Sequence, residues 1–498
     1  MISRHKDLVR FAVMLSLLIA PWQVSAQVTY QVAALTGMPA PGTEENITFG
    51  GAAGSDRVFT FAAINQRGEL IIQASLSGPQ KNMGQGLWIG MPDGLRLLVR
   101  SGQTIPSQEP RDLVNLMMPY VSDSGVIVFC SRVSGRNRPV PAILLLSGEQ
   151  LYPIAISGES APGIPDLTYG DRLSCSAMNS LGQVALFDAK SKAEGIWVGT
   201  AGNLQPLARS GDPAPGVGQE VFFERLNPPR LNAGGQVVFS ARLRGKGVTE
   251  NTNSGIWTGQ PGDLKLLVSE GDTTPGKDGV FGDLSRIGSR EMADLAINGA
   301  GQIVFFANKG IWMGTPGSLH PVVHDGDSMN KEQKGPKVSL ARTPELRLQD
   351  DGRLMFWSEQ AIWQWQADGL RLIACGGDPA PGTDSLAFDG FSEVVQTPAG
   401  KLAFTATLKN KKGRGLWVGV PDEMQCVVRE DQEFILASGD SRRIVPGSLA
   451  LTSDGCDTAG QTGLPLNDNG DVVFRVAFEA VRGVRDRSEG VFVAKAQK

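Results

Sequence analysis

The hydrophobic pattern of this chain consists of short alternating segments separated by turns. In residues 236–243, Val237 and Phe239 fall on one face and Val238 falls on the other, so both faces carry apolar side chains. Such a pattern is typical of a strand that is covered on both sides. Apolar positions three or four residues apart, which would indicate helices, are almost absent. The pattern therefore predicts an all-β protein.

Two sequence markers recur along the chain and give the same number of repeats. The first is an Asn-x-x-Gly turn before an apolar alternation, and its glycines are Gly68, Gly125, Gly182, Gly235, Gly301, Gly352, Gly400 and Gly470. The second is Gly-Ile-Trp-x-Gly, with its aromatic position held by Trp88, Trp197, Trp257, Trp312, Trp363 and Trp417, and by Leu144 and Phe492 in two degraded copies. Both markers occur eight times, about 57 residues apart, which indicates a repeat array or a propeller.

Each repeat contains four short β segments joined by tight turns. Asn and Gly favour such turns because they accept positive φ at low steric cost. Four antiparallel strands, repeated eight times, predict an eight-bladed β-propeller of four-stranded antiparallel blades. The tryptophan supports this fold, because wedge-shaped blades leave a gap that a large ring on the third strand can fill. We interpret the rings as core aromatics; a ladder that stacks a ligand is the alternative.

The last repeat lacks its fourth strand, and a matching segment lies near the start of the chain. The fourth-strand pattern occurs seven times, and the eighth repeat stops at residues 492–494. Residues 28–35 carry the missing pattern. We therefore expect the N-terminal strand to complete the last blade, which would remove two exposed sheet edges. The alternative is an open solenoid, which would need capping repeats at both ends.

The first 26 residues have the pattern of a secretory signal peptide. Arg4, Lys6 and Arg10 make a basic start, residues 11–20 are apolar, and residues 24–26 are small. We expect cleavage there, export to the periplasm or the medium, and a single propeller domain over residues 27–498. The alternative is a membrane anchor that stays attached. No later segment approaches the roughly 18 apolar residues of a membrane span.

Charge and cysteine content narrow the classes of protein. The formal net charge of −4 argues against general nucleic-acid binding. Five cysteines are few for a disulfide scaffold, and an odd number leaves at least one thiol unpaired. Cys426 and Cys456 flank the longest insertion, so a disulfide that closes it is one hypothesis; two free thiols are the alternative. Neither a Cys-x-x-Cys pattern nor a Cys/His spacing indicates a metal site.

Antiparallel alternation sorts the turns onto two faces of the disc. We call one the Asn-turn face, after the turns that end at the eight glycines above; the other, with the longer loops and the links between blades, is the loop-rich face. Basic loops there give these candidate ligand-binding residues: Arg132, Arg136 and Arg138 in repeat two, and Lys409, Lys411, Lys412 and Arg414 in repeat seven. A basic face attracts an anionic polymer, a glycan or an acidic protein. A solvated rim without a partner is the alternative.

Repeats five and six have almost no loop on the loop-rich face, which predicts a notch between taller neighbours. His324, Asp325 and Asp327 lie where a fourth strand meets this notch, and they are further candidate ligand-binding residues. His320 is four residues away on the same strand, roughly 13 Å from His324, so the two cannot chelate one metal. The alternative is a loop histidine among aspartates that serve the turn.

An aspartate recurs in the link between blades, at Asp212, Asp272, Asp327 and Asp378. A residue type that several repeats share normally serves the loop itself, by accepting backbone N–H bonds. We therefore expect no cofactor. Calcium binding is the alternative, and it would need several oxygen ligands at one site.

The combined markers resemble a family of bacterial exported tandem-repeat proteins described by the pattern NxxGxxAF. The pattern is visible in residues 231–239, 297–305, 397–404 and 466–474. The resemblance covers nearly all of residues 28–498. It implies the repeat and export, and it carries over no catalytic residue.

The sequence contains no Gly-x-Ser-x-Gly, His-Glu-x-x-His or phosphate-loop pattern. Together with the rigid repeat and the basic loops, this favours a monomeric exported binding module over an enzyme. The alternative is a hydrolytic or carbohydrate-active enzyme with its site in the central channel. Paired, desolvated carboxylates in that channel would favour the enzyme.

Overall fold

The structure is a computed structural model. It describes residues 29–51, 57–80, 83–107, 109–122, 125–189, 194–276, 279–289, 294–328, 336–340, 344–410, 413–436, 440–451, 464–480 and 488–495. These residues form strands and turns, and none of them belongs to a helix that could cross a membrane. The predicted signal peptide, residues 1–26, lies outside the described residues.

Eight antiparallel sheets form the blades of a propeller, which confirms the predicted fold. The first strand, β1 (Thr29–Leu35), belongs to blade eight. Blades one and two contain β2 (Thr48–Phe49), β3 (Phe59–Ile64), β4 (Leu70–Ser77), β5 (Gln85–Gly90) and β6 (Arg96–Arg100), then β7 (Thr104–Ile105), β8 (Arg111–Val121), β9 (Ile127–Val133), β10 (Val140–Ser147) and β11 (Gln150–Ile156). Blades three and four contain β12 (Leu173–Met178), β13 (Val184–Asp188), β14 (Gly195–Thr200) and β15 (Asn203–Arg209), then β16 (Val221–Leu226), β17 (Arg230–Leu231), β18 (Val237–Gly245), β19 (Ser254–Gln260) and β20 (Asp263–Ser269).

The second half of the chain continues the same order. Blades five and six contain β21 (Leu295–Ile297), β22 (Ile303–Ala307), β23 (Gly310–Thr315) and β24 (Ser318–His324), then β25 (Glu345–Leu348), β26 (Leu354–Ser358), β27 (Ala361–Gln366) and β28 (Gly369–Cys375). Blade seven contains β29 (Phe388–Gln396), β30 (Leu402–Leu408), β31 (Arg414–Val420) and β32 (Glu423–Arg429). A separate two-stranded ribbon, β33 (Glu433–Ile435) and β34 (Ser441–Arg443), precedes blade eight, which contains β35 (Asp471–Phe478) and β36 (Ser488–Lys495).

The N-terminal strand closes the ring as the sequence predicts. Strand β1 pairs antiparallel with β36, with Thr29 opposite Lys495 and Leu35 opposite Gly490. Blade eight is nevertheless irregular at its inner edge. Among the described residues, the contacts to the inner side of β35 are single bridges, from Ile444, Ala450 and Leu466, and not a longer first strand.

Every interface between neighbouring blades holds one hydrophobic cluster, eight in all. Between blades three and four, Trp257 shares its cluster with Ile196 of the preceding blade and Phe223 of its own. Five of the repeated rings are fully buried: Trp88, Trp197, Trp257, Trp312 and Trp417. This confirms that the repeated tryptophans are core residues between the blades.

At four of these rings the Gly-Ile-Trp marker meets a second repeated motif, the Ala-Pro-Gly of the link between blades; Trp312 instead donates to the carbonyl oxygen of Ala307. The Trp257 Nε1–H donates to the carbonyl oxygen of Pro215 at 2.9 Å, in the link that enters blade four. Equivalent bonds join Trp88, Trp197 and Trp417 to Pro41, Pro162 and Pro381. Gly255 lies against the ring, and a Cβ added there would come within 2.7 Å of Trp257. Gly-Ile-Trp and Ala-Pro-Gly therefore recur together because they form one packing unit.

Candidate functional site

The blade-two arginines lie on the loop-rich face, around the hairpin between β9 and β10. Arg136 forms an ion pair with Glu109 at 3.2 Å, and Arg138 forms one with Asp171 at 3.4 Å. The Arg132 Nη2 atom donates to the carbonyl oxygen of Pro139 at 3.3 Å. The predicted basic loop is therefore present, and acidic residues neutralise part of its charge.

The two ion pairs of this loop are exposed. The side chains of Arg136 and Arg138 keep 87% and 68% of their surface in solvent, and those of Glu109 and Asp171 keep 61% and 50%. Exposed ion pairs contribute about 0–1 kcal/mol to stability. Either guanidinium can therefore exchange its carboxylate for an anionic group of a ligand at little cost.

Blade seven places Lys409 and Arg414 at the two ends of the hairpin between β30 and β31. Lys409 is exposed, and its backbone N–H donates to the carbonyl oxygen of Ala387 at 2.9 Å. Arg414 is half-buried, and its backbone N–H donates to Glu430 Oε2 at 2.6 Å. Lys411 and Lys412 lie outside the described residues.

His324 packs against the tryptophan of its own blade. The ring centroids of His324 and Trp312 are 5.2 Å apart, and the rings are nearly perpendicular. Asp327 Oδ2 accepts a bond from the His324 backbone N–H at 2.7 Å, and Asp325 Oδ1 accepts one from the Leu340 N–H at 2.8 Å. Both aspartates thus hold the backbone that leaves blade five. These contacts favour the interpretation of His324 as a loop histidine.

The candidate residues do not converge on one site. Arg132, Arg136 and Arg138 belong to blade two, His324 and its aspartates to blade five, and Lys409 and Arg414 to blade seven. At least one blade separates each group from the next. Any ligand that contacts more than one group must span the rim of the disc.

The link aspartates serve their own loops, as predicted. Asp272 Oδ2 accepts a bond from the Ser269 N–H, and Asp378 Oδ2 accepts one from the Cys375 N–H, both at 2.7 Å. Asp212 instead pairs with Arg209 at 2.8 Å. The shared residue type therefore reflects the shared turn.

A cavity of about 210 Å³ opens on the propeller axis at the Asn-turn face, and all eight blades line it. Its wall combines the polar side chains of Asn65, Asn179 and Asn232 with apolar side chains, which are Ile64, Val121, Met178, Leu231, Ile297 and Leu466. Its rim consists of turn residues, among them Gln66, Ser180, Ala233, Gly299, Asp350 and Pro398. Asp350 is the one carboxylate among the described lining residues, so the described wall does not hold the carboxylate pair that would favour a channel enzyme.

The turns around this cavity are short and uniform, so their sequences do not indicate a ligand site. A signal for the cavity was present in the repeat itself. In a closed propeller, equivalent turns from all blades surround the axis. The residue after the asparagine position varies from Ser180 to Gly299 to Asp350, and this variation sets the chemistry of the rim.

Asparagine side chains join neighbouring blades around the cavity. Asn232 Oδ1 accepts a bond from the Gln236 N–H of its own turn at 2.8 Å, and Asn232 Nδ2 donates to the carbonyl oxygen of Asn298 in blade five, also at 2.8 Å. Equivalent inter-blade bonds run from Asn179 to Asn232, from Asn298 to Gln349 and from Asn467 to Asn65. The repeated asparagine therefore both closes its own turn and holds the next blade.

A half-buried carboxylate, that of Glu194, joins blades three and four on the loop-rich face. Glu194 Oε1 accepts a hydrogen bond from the backbone N–H of Leu226. Burial raises the pKa of Glu194, although the bond from Leu226 and the charge of Arg225 act in the opposite direction. The carboxylate is therefore harder to ionise here than in an unfolded chain.

Burial also raises the pKa of the Cys426 thiol, to about 12. Its partner in the hypothetical disulfide, Cys456, lies outside the described residues. The pairing of these two cysteines stays a hypothesis.

Solved structures that match this chain do so at low sequence identity and low TM-score. A chain of a mitotic checkpoint complex is 8% identical with a TM-score of 0.34, over 77% of this chain and 91% of that one. The Pyrococcus horikoshii acylaminoacyl peptidase is 9% identical with a TM-score of 0.36, over 86% of this chain and 58% of that one. A Penicillium chrysogenum α-L-arabinanase complexed with arabinobiose is 12% identical with a TM-score of 0.28, over 66% and 93%.

These scores are too low to bear on function, and no curated protein matches the chain. The β-propeller fold itself is suited to a generic interaction module. A family model described as a family of unknown function, DUF7453, matches residues 22–348 and again residues 347–497. Because the two matches together span almost the whole propeller, this chain belongs to the DUF7453 family.

Proposed function

We propose that this protein is an exported interaction module that binds an anionic polymer, a glycan or an acidic protein through its loop-rich face. The observation that carries the proposal is the exposure of Arg136 and Arg138 at the tip of the blade-two loop. Their only described carboxylate partners are exposed as well. Two guanidinium groups that are held this weakly are available to a ligand.

Blade four, two blades further along, carries similar exposed ion pairs on the same face. The long hairpin of blade four carries Arg242 and Lys246, which pair with Glu224 at 3.4 Å and Glu220 at 3.2 Å. These side chains are also about half exposed or more. A ligand that spans several blades could replace several weak pairs at once, and such an exchange is favourable when the ligand is a polyanion.

Export is part of the proposal. The basic start and apolar run of residues 1–26 support it, as does the resemblance to exported NxxGxxAF proteins. We place ligand contacts on the arginines and on Lys409, and not on His324, because the aspartates beside His324 are engaged with backbone N–H groups.

Salt-dependent retention on a sulfated polysaccharide matrix tests the proposal. We expect the mature protein to be retained at low ionic strength and released as salt screens the charges. The double variant Arg136→Ala/Arg138→Ala should elute at lower salt. The matched control is Arg67→Ala/Arg353→Ala, which removes two arginines that pair with Glu69 and Asp351 on the Asn-turn face.

Two outcomes would contradict the proposal. One is a wild-type protein that flows through the matrix at low ionic strength. The other is an equal loss of retention in both double variants, since retention would then depend on total charge and not on the loop-rich face.

A further inference from the structure

We propose that the axial cavity at the Asn-turn face is a binding site for a small organic amine with an apolar body. This site lies on the opposite face from the proposed interaction surface. A cavity of about 150 Å³ is known to accept benzene. The axial cavity, at about 210 Å³, therefore has room for a body of benzene size and a short polar chain.

The wall of the cavity selects an apolar body. Ile64, Val121, Met178, Leu231 and Leu466 line it from five different blades, and each of them is buried in the fold. An aliphatic or aromatic group placed among these side chains leaves water and gains dispersion contacts. The apolar part of the wall therefore favours a ligand with an apolar body.

The rim of the cavity selects the charge of the ligand. Asp350 lies on the rim, and its Oδ1 atom accepts a bond from the backbone N–H of Gly299 at 2.6 Å. A Cβ added to Gly299 would come within 2.9 Å of the same oxygen. Gly299 thus allows the carboxylate to approach the turn of blade five closely, which holds it at the mouth of the cavity.

Cations from the surrounding turns are engaged elsewhere. Arg353 pairs with Asp351 at 2.6 Å, and Arg67 pairs with Glu69 at 2.7 Å. The Lys401 ammonium donates to the carbonyl oxygen of Asn469 at 2.8 Å. Asp350 is therefore left as the charged group that a ligand would meet at the described rim.

The asparagine ring argues against a sugar as the ligand. Both amide atoms of Asn179 and of Asn232 already make hydrogen bonds within their turn and to the next blade. A ligand rich in hydroxyl groups needs many free partners, because an unpaired buried polar group is costly. One ammonium group facing one carboxylate needs far fewer.

Titration calorimetry with phenethylamine, which has about nine non-hydrogen atoms, tests the site on the mature protein. From the free energy that each ligand atom typically contributes, we expect a Kd of roughly 0.1–1 mM. Phenethyl alcohol has the same body without the charge, and phenylacetate has the opposite charge. We expect both to bind at least tenfold more weakly than the amine.

Two variants locate the binding. Asp350→Asn removes the charge but keeps an oxygen for the Gly299 N–H, and it should weaken the amine at least tenfold; Asp468→Asn, at the same turn position of blade eight but outside the cavity lining, should not. Ala233→Trp places a large ring at the mouth and should abolish binding, with an unchanged melting temperature showing that it folds. The proposal is overturned if the wild-type protein shows no saturable binding up to about 10 mM amine, or if amine and alcohol bind equally. Amine binding that survives both Asp350→Asn and Ala233→Trp would also overturn it.

Discussion

Asn232 Nδ2 donates a 2.8 Å hydrogen bond to the backbone carbonyl oxygen of Asn298, 66 residues later and in the next blade. The same side chain uses its Oδ1 atom to close its own turn. One residue type thus defines the local turn and joins consecutive blades. Ser122 and Thr397, which replace the asparagine in two repeats, have no amide nitrogen for this bond.

We predict that Asn232→Asp lowers the free energy of unfolding by about 1–3 kcal/mol. The new carboxylate keeps the oxygen that closes the turn, but it loses the donor and faces the Asn298 carbonyl oxygen. Urea denaturation measures the change. Asn469→Asp, at an exposed position of the blade-eight turn, is the control and should leave the midpoint unchanged; equal effects in both variants would rule out a special role for the inter-blade bond.

Replacing a repeated tryptophan by alanine should lower the free energy of unfolding more than Asn232→Asp does. Trp257 is fully buried and packs on Phe223 with ring centroids 5.0 Å apart. Trp257→Ala should lower the free energy of unfolding by about 3–5 kcal/mol, because it removes apolar contacts and leaves a cavity. Half-buried Trp365 provides the comparison, and Trp365→Ala should cost clearly less. A Trp257→Ala variant with an unaltered denaturation midpoint would be incompatible with this packing.

Tyr169→Phe should stabilise the protein. The Tyr169 hydroxyl is buried with no hydrogen-bond partner among the described residues. The ring packs edge-on to Trp197 at 5.2 Å, in the way that Phe223 packs on Trp257. Removing an unpaired buried hydroxyl should raise the free energy of unfolding by about 1 kcal/mol.

Tyr30→Phe should instead lower the free energy of unfolding. The Tyr30 hydroxyl donates to the carbonyl oxygen of Ile435 at 2.6 Å, so its removal should destabilise the protein. Thermal melting of both variants measures the two effects. Destabilisation by Tyr169→Phe would show that its hydroxyl has a partner in solution.

Glu194 should make stability depend on pH. Burial raises the pKa of Glu194 in the folded chain above its ordinary value. The folded state therefore binds more protons than the unfolded state between these two values, and stability falls as pH rises through them. Against Glu194→Gln, the wild-type protein should lose relative stability from about pH 4.5 upward.

Glu69 provides a control of opposite sign. Hydrogen bonding from Asn65 lowers the pKa of Glu69 in the folded chain. The contribution of Glu69 to stability is therefore present above the pKa of the unfolded chain and is lost as pH falls through the lower pKa of the folded chain. Denaturation curves from pH 3 to pH 7 compare Glu194→Gln and Glu69→Gln with the wild type. If the stability of the wild type and that of Glu194→Gln changed with pH in parallel, the raised pKa of Glu194 in the folded chain would be refuted.

Calcium should not alter thermal stability. Of the four aspartates that the sequence repeats in its links, Asp272, Asp327 and Asp378 accept backbone N–H bonds, and Asp212 pairs with Arg209. We expect equal melting temperatures with added calcium and with a chelator. A shift of several degrees on chelation would instead favour a calcium site in a link.

The number of blades and the closure of the ring could be predicted because their signals are local. The alternation around Phe239, the glycine before Trp257 and the missing fourth strand of the last repeat each depend on a few neighbouring residues. Strand pairing within a hairpin follows from such short patterns. The irregular inner edge of blade eight was not predictable, since the bridge from Ala450 to β35 depends on the path of a long insertion.

The sequence by itself determined the eightfold repeat, the antiparallel blades and the burial of the tryptophans, because each is encoded within one repeat of about 57 residues. Only the tertiary structure decided which residues meet across repeats. It separates the basic loops of blades two and seven, gives Arg136 and Arg138 acidic partners, and gathers residues of all eight blades around one axial cavity with Asp350 on its rim. The physical reason is that closing the ring, and not any local pattern, sets the distance between residues far apart in the chain.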